Sequence, residues 1–248
     1  MTTFALLGGT GVTKIDGLEI LRRESIKTPF GQPSGDIAIG RVFGIEMAFL
    51  PRHGEKHTIP PHKINYRANI WALKSIDIES ILAVAAVGGI GPNMAPGKIA
   101  FPDQIIDYTY GRPSTFFEED LEQVTHIDFS HPYSETIRSK LVKAAHSAGI
   151  DAIGRGTYGC TQGPRLESAA EIKRMERDGC DLVGMTGMPE AALARELDIE
   201  YACCAVIANW AAGKIEGTIT MEDILQNLEF GMASVTHLFR YLLPNISL

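Results

Sequence analysis

Short apolar runs punctuated by glycine recur along the chain: FALLGG, DIAIGRVFGIEMAFLPR, ESILAVAAVGGIG, DAIGRGTYGC, CDLVGM and IEYACCAVIAN. Each has strand length, and runs with so few charges suit strands covered on both faces. Between them the spacing changes to three and four. Ile64, Ala68 and Trp71 repeat in this way after two prolines, and SETIRSKLVKAAHSAG ends at Gly149 as a helix does. ESAAEIKRMERDG and PEAALARELD read as further helices. TMEDILQNLEFGMASVTHLFRYLL reads as a long last helix with Thr220 as N-cap and Glu222 and Asp223 in its first turn. Strand and helix in alternation predict a single α/β domain over residues 1–248, a largely parallel or mixed central sheet flanked by helices. No Ser/Gly linker, internal repeat or low-complexity tract interrupts it. Residues 102–131 are aromatic-rich and weakly periodic, as expected of a long excursion used for a site or a subunit contact.

Composition narrows the function more than the fold. A chain of 248 residues, 45% hydrophobic, buries roughly 70–75% of its unfolded surface. Twenty-three basic against 30 acidic residues give a net charge of −7, so no broad nucleic-acid-binding face is expected and an anion site has to be local. No apolar run approaches the ~20 residues of a membrane span, and MTTFALLGG lacks a basic leader, so a cytoplasmic protein without membrane contact is expected. Cys160, Cys180, Cys203 and Cys204 include no CxxC pair and read as buried thiols rather than as disulfides or metal ligands.

Four places carry candidate chemistry. LLGGTGV follows a strand, and its glycines let backbone N–H groups approach an oxyanion while Thr10 adds a hydroxyl; a structural turn is the alternative. Arg52 and His53 follow the strand IEMAFLP, the end at which open α/β sheets bind ligands; a planar fork of donors beside an imidazole suits phosphate. In GPRLESAAEIKRM, Glu167 and Glu171 stand four apart near a helix start, where they either share a functional face or serve the helix N-terminus. In GMTGMPEAALARE, Met185 and Thr186 follow a strand and either line a sugar pocket or belong to core and cap.

In this order, GGTG, RHG...H..P..NYRANIWALK, GPRLES.AE, GMTGMPEAALARE and the strand ending in Asn209 resemble the trimeric purine nucleoside phosphorylase and methylthioadenosine phosphorylase family over nearly the whole chain. The resemblance implies cleavage of a purine nucleoside by inorganic phosphate, which is a co-substrate, with no metal or redox cofactor. It implies a homotrimer, or a hexamer built on the same interface. The implied phosphate site comprises Thr10, Arg52, His53, the backbone around Ala86, and Thr186. Met185 is placed against the ribose, with Met221, Ile224 and Leu225 at the 5′ group and His126 reaching a neighbouring subunit's 5′ pocket. Asn209, Arg52 and His53 are the implied catalytic residues, and Leu166, Glu167, Asn209 and Ala211 the base site.

Departures from the methylthioadenosine pattern sharpen the expectation. Ala85 stands where a threonine is common, which removes one phosphate contact. Asn209 and Ala211 replace two aspartates suited to a 6-amino purine, and Glu167 replaces a serine. An Asn amide donates to a 6-oxo oxygen while accepting a hydrogen from N7, and Glu167 accepts N1–H. With an apolar 5′ pocket, the expected reaction is phosphorolysis of 5′-methylthioinosine to hypoxanthine and 5-methylthioribose 1-phosphate. The alternatives are a methylthioadenosine phosphorylase, a general inosine/guanosine phosphorylase, and a nucleoside-binding regulatory protein without turnover.

Overall fold

A computed structural model describes residues 3–9, 15–119, 121–217 and 219–246. The elements are, in chain order, β1 (Phe4–Gly8), β2 (Glu19–Glu24), β3 (Ile37–Val42), β4 (Ile45–Pro51), α1 (Tyr66–Lys74), β5 (Ser80–Gly89), β6 (Ile99–Ala100), β7 (Gln104–Asp107), α2 (Glu135–Ser147), β8 (Thr157–Cys160), α3 (Ala169–Arg177), β9 (Leu182–Gly184), α4 (Gly187–Glu196), β10 (Glu200–Trp210) and α5 (Met221–Leu242). One mixed sheet runs β2-β3-β4-β1-β5-β9-β8-β7, and β10 pairs with β5 and with the short β6. β1 is parallel to β4 and β5, and β10 is parallel to β5; β9 joins the end of β5 antiparallel at Gly88 and Gly89. β5 therefore has three partners and forms the hub of the sheet.

Alternation along the strands feeds two cores. Ala5 and Leu7 of β1 join Ile70 and Leu73 of α1 and Ala191, Leu193 and Ala194 of α4 on one face. Phe4 and Leu6 join Ile137 and Leu141 of α2 and Val235, Leu238 and Phe239 of α5 on the other. The expected α/β architecture, with helices on both faces, is the one observed. DIAIGRVFGIEMAFLPR folds as the hairpin β3-β4, its two-residue turn placing Phe43 and Gly44 at positive φ as a primed hairpin turn requires. The strand β2, EILRRE, carries no apolar alternation; it is exposed and adds itself to the sheet edge through β3.

Helix ends follow the residues that cap them. Ser168 and Glu171 form a reciprocal capping box at α3, and Thr220 accepts from the Asp223 N–H at α5. Gly149 takes the left-handed conformation after α2. At α1 the expected stripe is corrected. Ile64 precedes the Asn65 cap and lies outside the helix; Ala68 is buried as expected and Trp71 half-buried, and Tyr66, Ile70 and Leu73 complete the buried face. All four cysteines are free and buried. Desolvation pushes the Cys160 and Cys203 thiols up to about 12 and raises Cys204 well above the ordinary thiol range, so these groups stay protonated and inert.

α5 crosses β10 at close range because Gly231 meets Val206. A Cβ there would lie 2.2 Å from Val206 Cγ1. Gly231→Ala is expected to lower unfolding free energy by about 1–3 kcal/mol through overpacking, read from urea melts.

Candidate active site

The C-terminal ends of β1, β4, β5, β9 and β10 converge on a cleft of about 710 Å³, closed on the far side by the first turns of α5. Its phosphate-type end is built on Arg52, the residue after β4. The guanidinium is buried and nearly saturated: Nε and Nη2 donate to the Glu190 carboxylate at 3.0 and 2.7 Å, Nη1 to the Val84 carbonyl and Nη2 also to the Leu7 carbonyl. Tyr201 donates a third hydrogen bond to Glu190 at 2.8 Å. Burial opposes the charge on Arg52, but the charge and hydrogen bonds of Glu190 outweigh it and hold the pKa above its ordinary value. One Nη1 hydrogen is left uncommitted, so Arg52 is a clamp between strands first and an anion donor second.

His53 lines the same end, half-buried, with Nδ1 2.8 Å from the Ile59 carbonyl and its ring stacked on His57 at 4.7 Å. Desolvation pulls its pKa down to about 4; the Ile59 carbonyl opposes this and the Arg52 charge adds to it. Thr186 is buried at the start of α4, lines the cleft, and its side chain makes no capping bond. Ala86 is exposed between buried neighbours of β5, which opens the strand backbone to the cleft.

At the base-type end, β10 bulges between Ile207 and Asn209, so that Ala208 and Asn209 both reach the cleft. Asn209 Nδ2 donates to the Trp210 carbonyl at 2.8 Å, which fixes the amide with Oδ1 and one N–H uncommitted. Glu167 sits before the α3 cap, not on the helix, and Oε1 accepts from the Thr161 hydroxyl at 2.6 Å. Glu171, by contrast, is spent on the capping box and on Arg165, whose hydrogen bonds hold its pKa down to about 2. The alternatives for the two carboxylates thus divide: one faces the cleft and the other serves the helix.

Leu166, Ala211, Met185, Met221 and Ile224 also line the cleft, joined by Ile219, Leu228 and Met232. One expected position is corrected. Leu225 is 60% exposed and absent from the wall, because Ile224 and Leu228, four apart on α5, take the inward face. His126 is exposed on the excursion after β7. Thr10 lies outside the described residues.

With this geometry, the comparisons with known proteins are decisive. Residues 3–243 match the family described as Phosphorylase superfamily. The chain belongs to the phosphorylase superfamily. It is 58% identical over 235 residues, 95% of this chain and 96% of the other, to a protein of Pseudomonas syringae pv. tomato named probable S-methyl-5′-thioinosine phosphorylase. A 6-oxopurine nucleoside phosphorylase of Pyrococcus furiosus is 44% identical, with 99% of this chain and 94% of that one covered. Among solved structures, methylthioadenosine phosphorylase from Schistosoma mansoni in complex with adenine superposes with a TM-score of 0.93 at 29% identity, covering 99% of this chain and 92% of that one.

Glu190 and Arg112 are site residues that reading the sequence missed. Arg112, in the excursion after β7, donates to the carbonyls of Thr161, Gln162, Met185 and Met188 and so sets the loop that carries Met185 and Thr186. A charged residue inside the apolar run GMPEAALA was the available signal for Glu190.

Glu190→Ala leaves a buried guanidinium without its counter-charge. A loss of about 3–5 kcal/mol in denaturant unfolding is expected. His53 gives a pH signature. The fold holds the ring neutral whereas the unfolded chain takes up a proton near pH ~6.5. The contribution is therefore complete above that pH and is lost as pH falls toward 4, by no more than about 3 kcal/mol. His53→Gln should flatten the profile of melting temperature against pH over that window.

Proposed function

We propose that this protein cleaves 5′-methylthioinosine with inorganic phosphate, releasing hypoxanthine and 5-methylthioribose 1-phosphate. A phosphate oxygen bonds to C1′ as the C1′–N9 bond breaks. The electron pair leaves with the purine, which takes a proton at N7 from solvent, and the sugar phosphate returns its P–O–H proton to solvent on release, so protons balance. The residues that face each partner are chosen for charge that moves. Thr186, the β5 backbone at Ala86 and the remaining Arg52 hydrogen orient the anion, and no metal is asked for because phosphate is itself the nucleophile. Met185 faces the sugar.

The observation that carries the base assignment is the fixed Asn209 amide opposite a free carboxylate oxygen in the same cleft. Asn209 Oδ1 accepts the hydrogen that N7 acquires, its second N–H donates to O6, and Glu167 Oε2 accepts N1–H. A 6-amino purine has a lone pair at N1, which a carboxylate repels. The names of the relatives from P. syringae and P. furiosus, both 6-oxopurine nucleoside enzymes, support this reading.

The 5′ end supports the methylthio group. Ile219, Met221, Ile224, Leu228 and Met232 form an apolar wall, and among the described residues of that wall no side chain offers a hydrogen bond to a 5′-hydroxyl. Such a wall favours methylthio over hydroxyl by roughly 1–3 kcal/mol, a preference rather than a filter. A homotrimer, with His126 and the exposed Leu121 and Val124 of the excursion reaching a neighbouring copy, fits the same reading. Among the described residues no helix is long and apolar enough to cross a membrane.

Phosphate-dependent base release is expected to run about 10–100-fold faster in kcat/KM with methylthioinosine than with inosine, and faster still relative to methylthioadenosine. Equal rates on inosine would remove the 5′ assignment and leave the base assignment; methylthioadenosine in the lead would remove the base assignment. Ligand binding without phosphate-dependent release would indicate a nucleoside-binding protein. Asn209→Asp sets a carboxylate against the Trp210 carbonyl and is expected to shift preference toward 6-amino purines. A variant that lost the oxo substrate and gained no amino substrate would show that Asn209 is needed but is not the selector.

A further inference from the structure

Among the described residues lining the cleft, Arg52 carries the one permanent positive charge, and Glu190 cancels it within 3 Å. The phosphate end therefore has little net charge with which to hold a dianion. Its selectivity has to come from hydrogens, and His53 decides how they match. The Ile59 carbonyl can only accept, so Nδ1 carries the ring hydrogen. The neutral ring then presents a lone pair at Nε2, and among the described residues Nε2 has no partner. A second ring proton is disfavoured by the burial of the site and by the Arg52 charge.

We infer that His53 is an acceptor that recognises the P–O–H hydrogen of hydrogen phosphate, so that the site selects a protonated oxyanion over one with no hydrogen. The inference rests on the phosphorylase reading and deepens it. The groups around the ring agree. Arg52, the preceding residue, acts on it through its charge; His57, in the same loop, stacks on its face; Thr186, at the start of α4, lines the same cleft. Arg52 and Thr186 supply donors to the bare oxygens, while Nε2 is the acceptor that suits the protonated one. Protonated oxygen is the poorest nucleophile of the four. Anchoring it at His53 leaves unprotonated oxygens to face C1′, and the P–O–H proton stays on the phosphate while the C1′–O bond forms, so the proton that the leaving purine takes at N7 comes from solvent.

Anion selectivity follows directly. Sulfate matches phosphate in shape and charge but carries no hydrogen near neutral pH, and it would set an oxygen lone pair against Nε2. Monofluorophosphate has fluorine where phosphate has the hydroxyl, and it fails in the same way. Arsenate keeps the hydrogen. Losing a hydrogen bond with a charged partner, and leaving a facing acceptor unpaired, costs about 30-fold or more in affinity.

The test is titration calorimetry at pH 7.5 with phosphate, arsenate, sulfate and monofluorophosphate on the full chain, with the melting curve of each variant as a check on folding. Phosphate and arsenate are expected to bind at least about 30-fold tighter than the other two. In His53→Gln, whose amide can turn to donate or accept, the phosphate-to-sulfate ratio should fall to within about threefold. Sulfate or monofluorophosphate binding wild type as tightly as phosphate would overturn the inference. So would an unchanged ratio in folded His53→Gln. If phosphate-dependent base release persisted in either case, the phosphorylase reading would stand alone. Binding of none of the four, with no base release, would overturn both.

Discussion

The Arg52–Glu190 ion pair is the contact on which the rest of the site depends. Its two members lie 138 residues apart in sequence, and both side chains are almost wholly buried. Taken alone, either charge would be untenable in that position. Together, with Tyr201 and the carbonyls of Leu7 and Val84, they tie four chain segments, β1, β5, α4 and β10, to the end of β4. Desolvation costs of such a pair are large, so its value need not be net stability. What it does is fix a register: His53 follows Arg52 directly, and Thr186 stands four residues before Glu190 at the start of α4. Cleft-lining groups from two distant segments are thereby held by one guanidinium.

That constraint also explains what could and could not be read from the sequence. Strand runs and helix caps were legible because they are local: Thr220, Ser168 and Gly149 act within a few residues of themselves. Arg52 and His53 could be placed at a strand's end by their position after IEMAFLP. The role of Arg52 could not, because its partner lies in α4 and only the folded chain brings them together. Arg112 escaped for the same reason, as its acceptors are backbone carbonyls that no residue pattern reveals. β2 escaped because it is an exposed edge strand, recruited by pairing with β3 rather than by burial. Glu167 and Glu171 show the limit of spacing arguments. A spacing of four left a shared face and helix capping both open; the helix begins between them, so Glu171 caps it while Glu167 accepts from Thr161 at the cleft.

Leu225 makes a similar point about rotation. Residues 221, 224, 225 and 228 are all apolar, and the hydrophobic pattern alone does not decide which edge of the stripe meets the cleft. Packing decides. Val235, Leu238 and Phe239 are drawn into the core against β10 and α2, which sets the roll of α5 along its length and leaves Ile224, Leu228 and Met232 facing inward.

β10 and α5 together therefore set the span of the cleft. The bulge after Ile207 brings Asn209 to it, and three residues earlier Val206 receives Gly231 of the helix that supplies its apolar wall. Since Val206 has no room for a side chain at 231, the helix is held at a fixed distance from the strand. The separation between the Asn209 amide and the apolar wall is thus set by core packing and not by flexible loops. On the function proposed above, exchanging Asn209 and Glu167 changes the base that is read without disturbing that distance, and exchanging side chains on α5 changes what is accepted at the 5′ end without disturbing the base. Relatives with one architecture and different named substrates, such as the S. mansoni enzyme with its TM-score of 0.93 at 29% identity, are what this separation of roles allows.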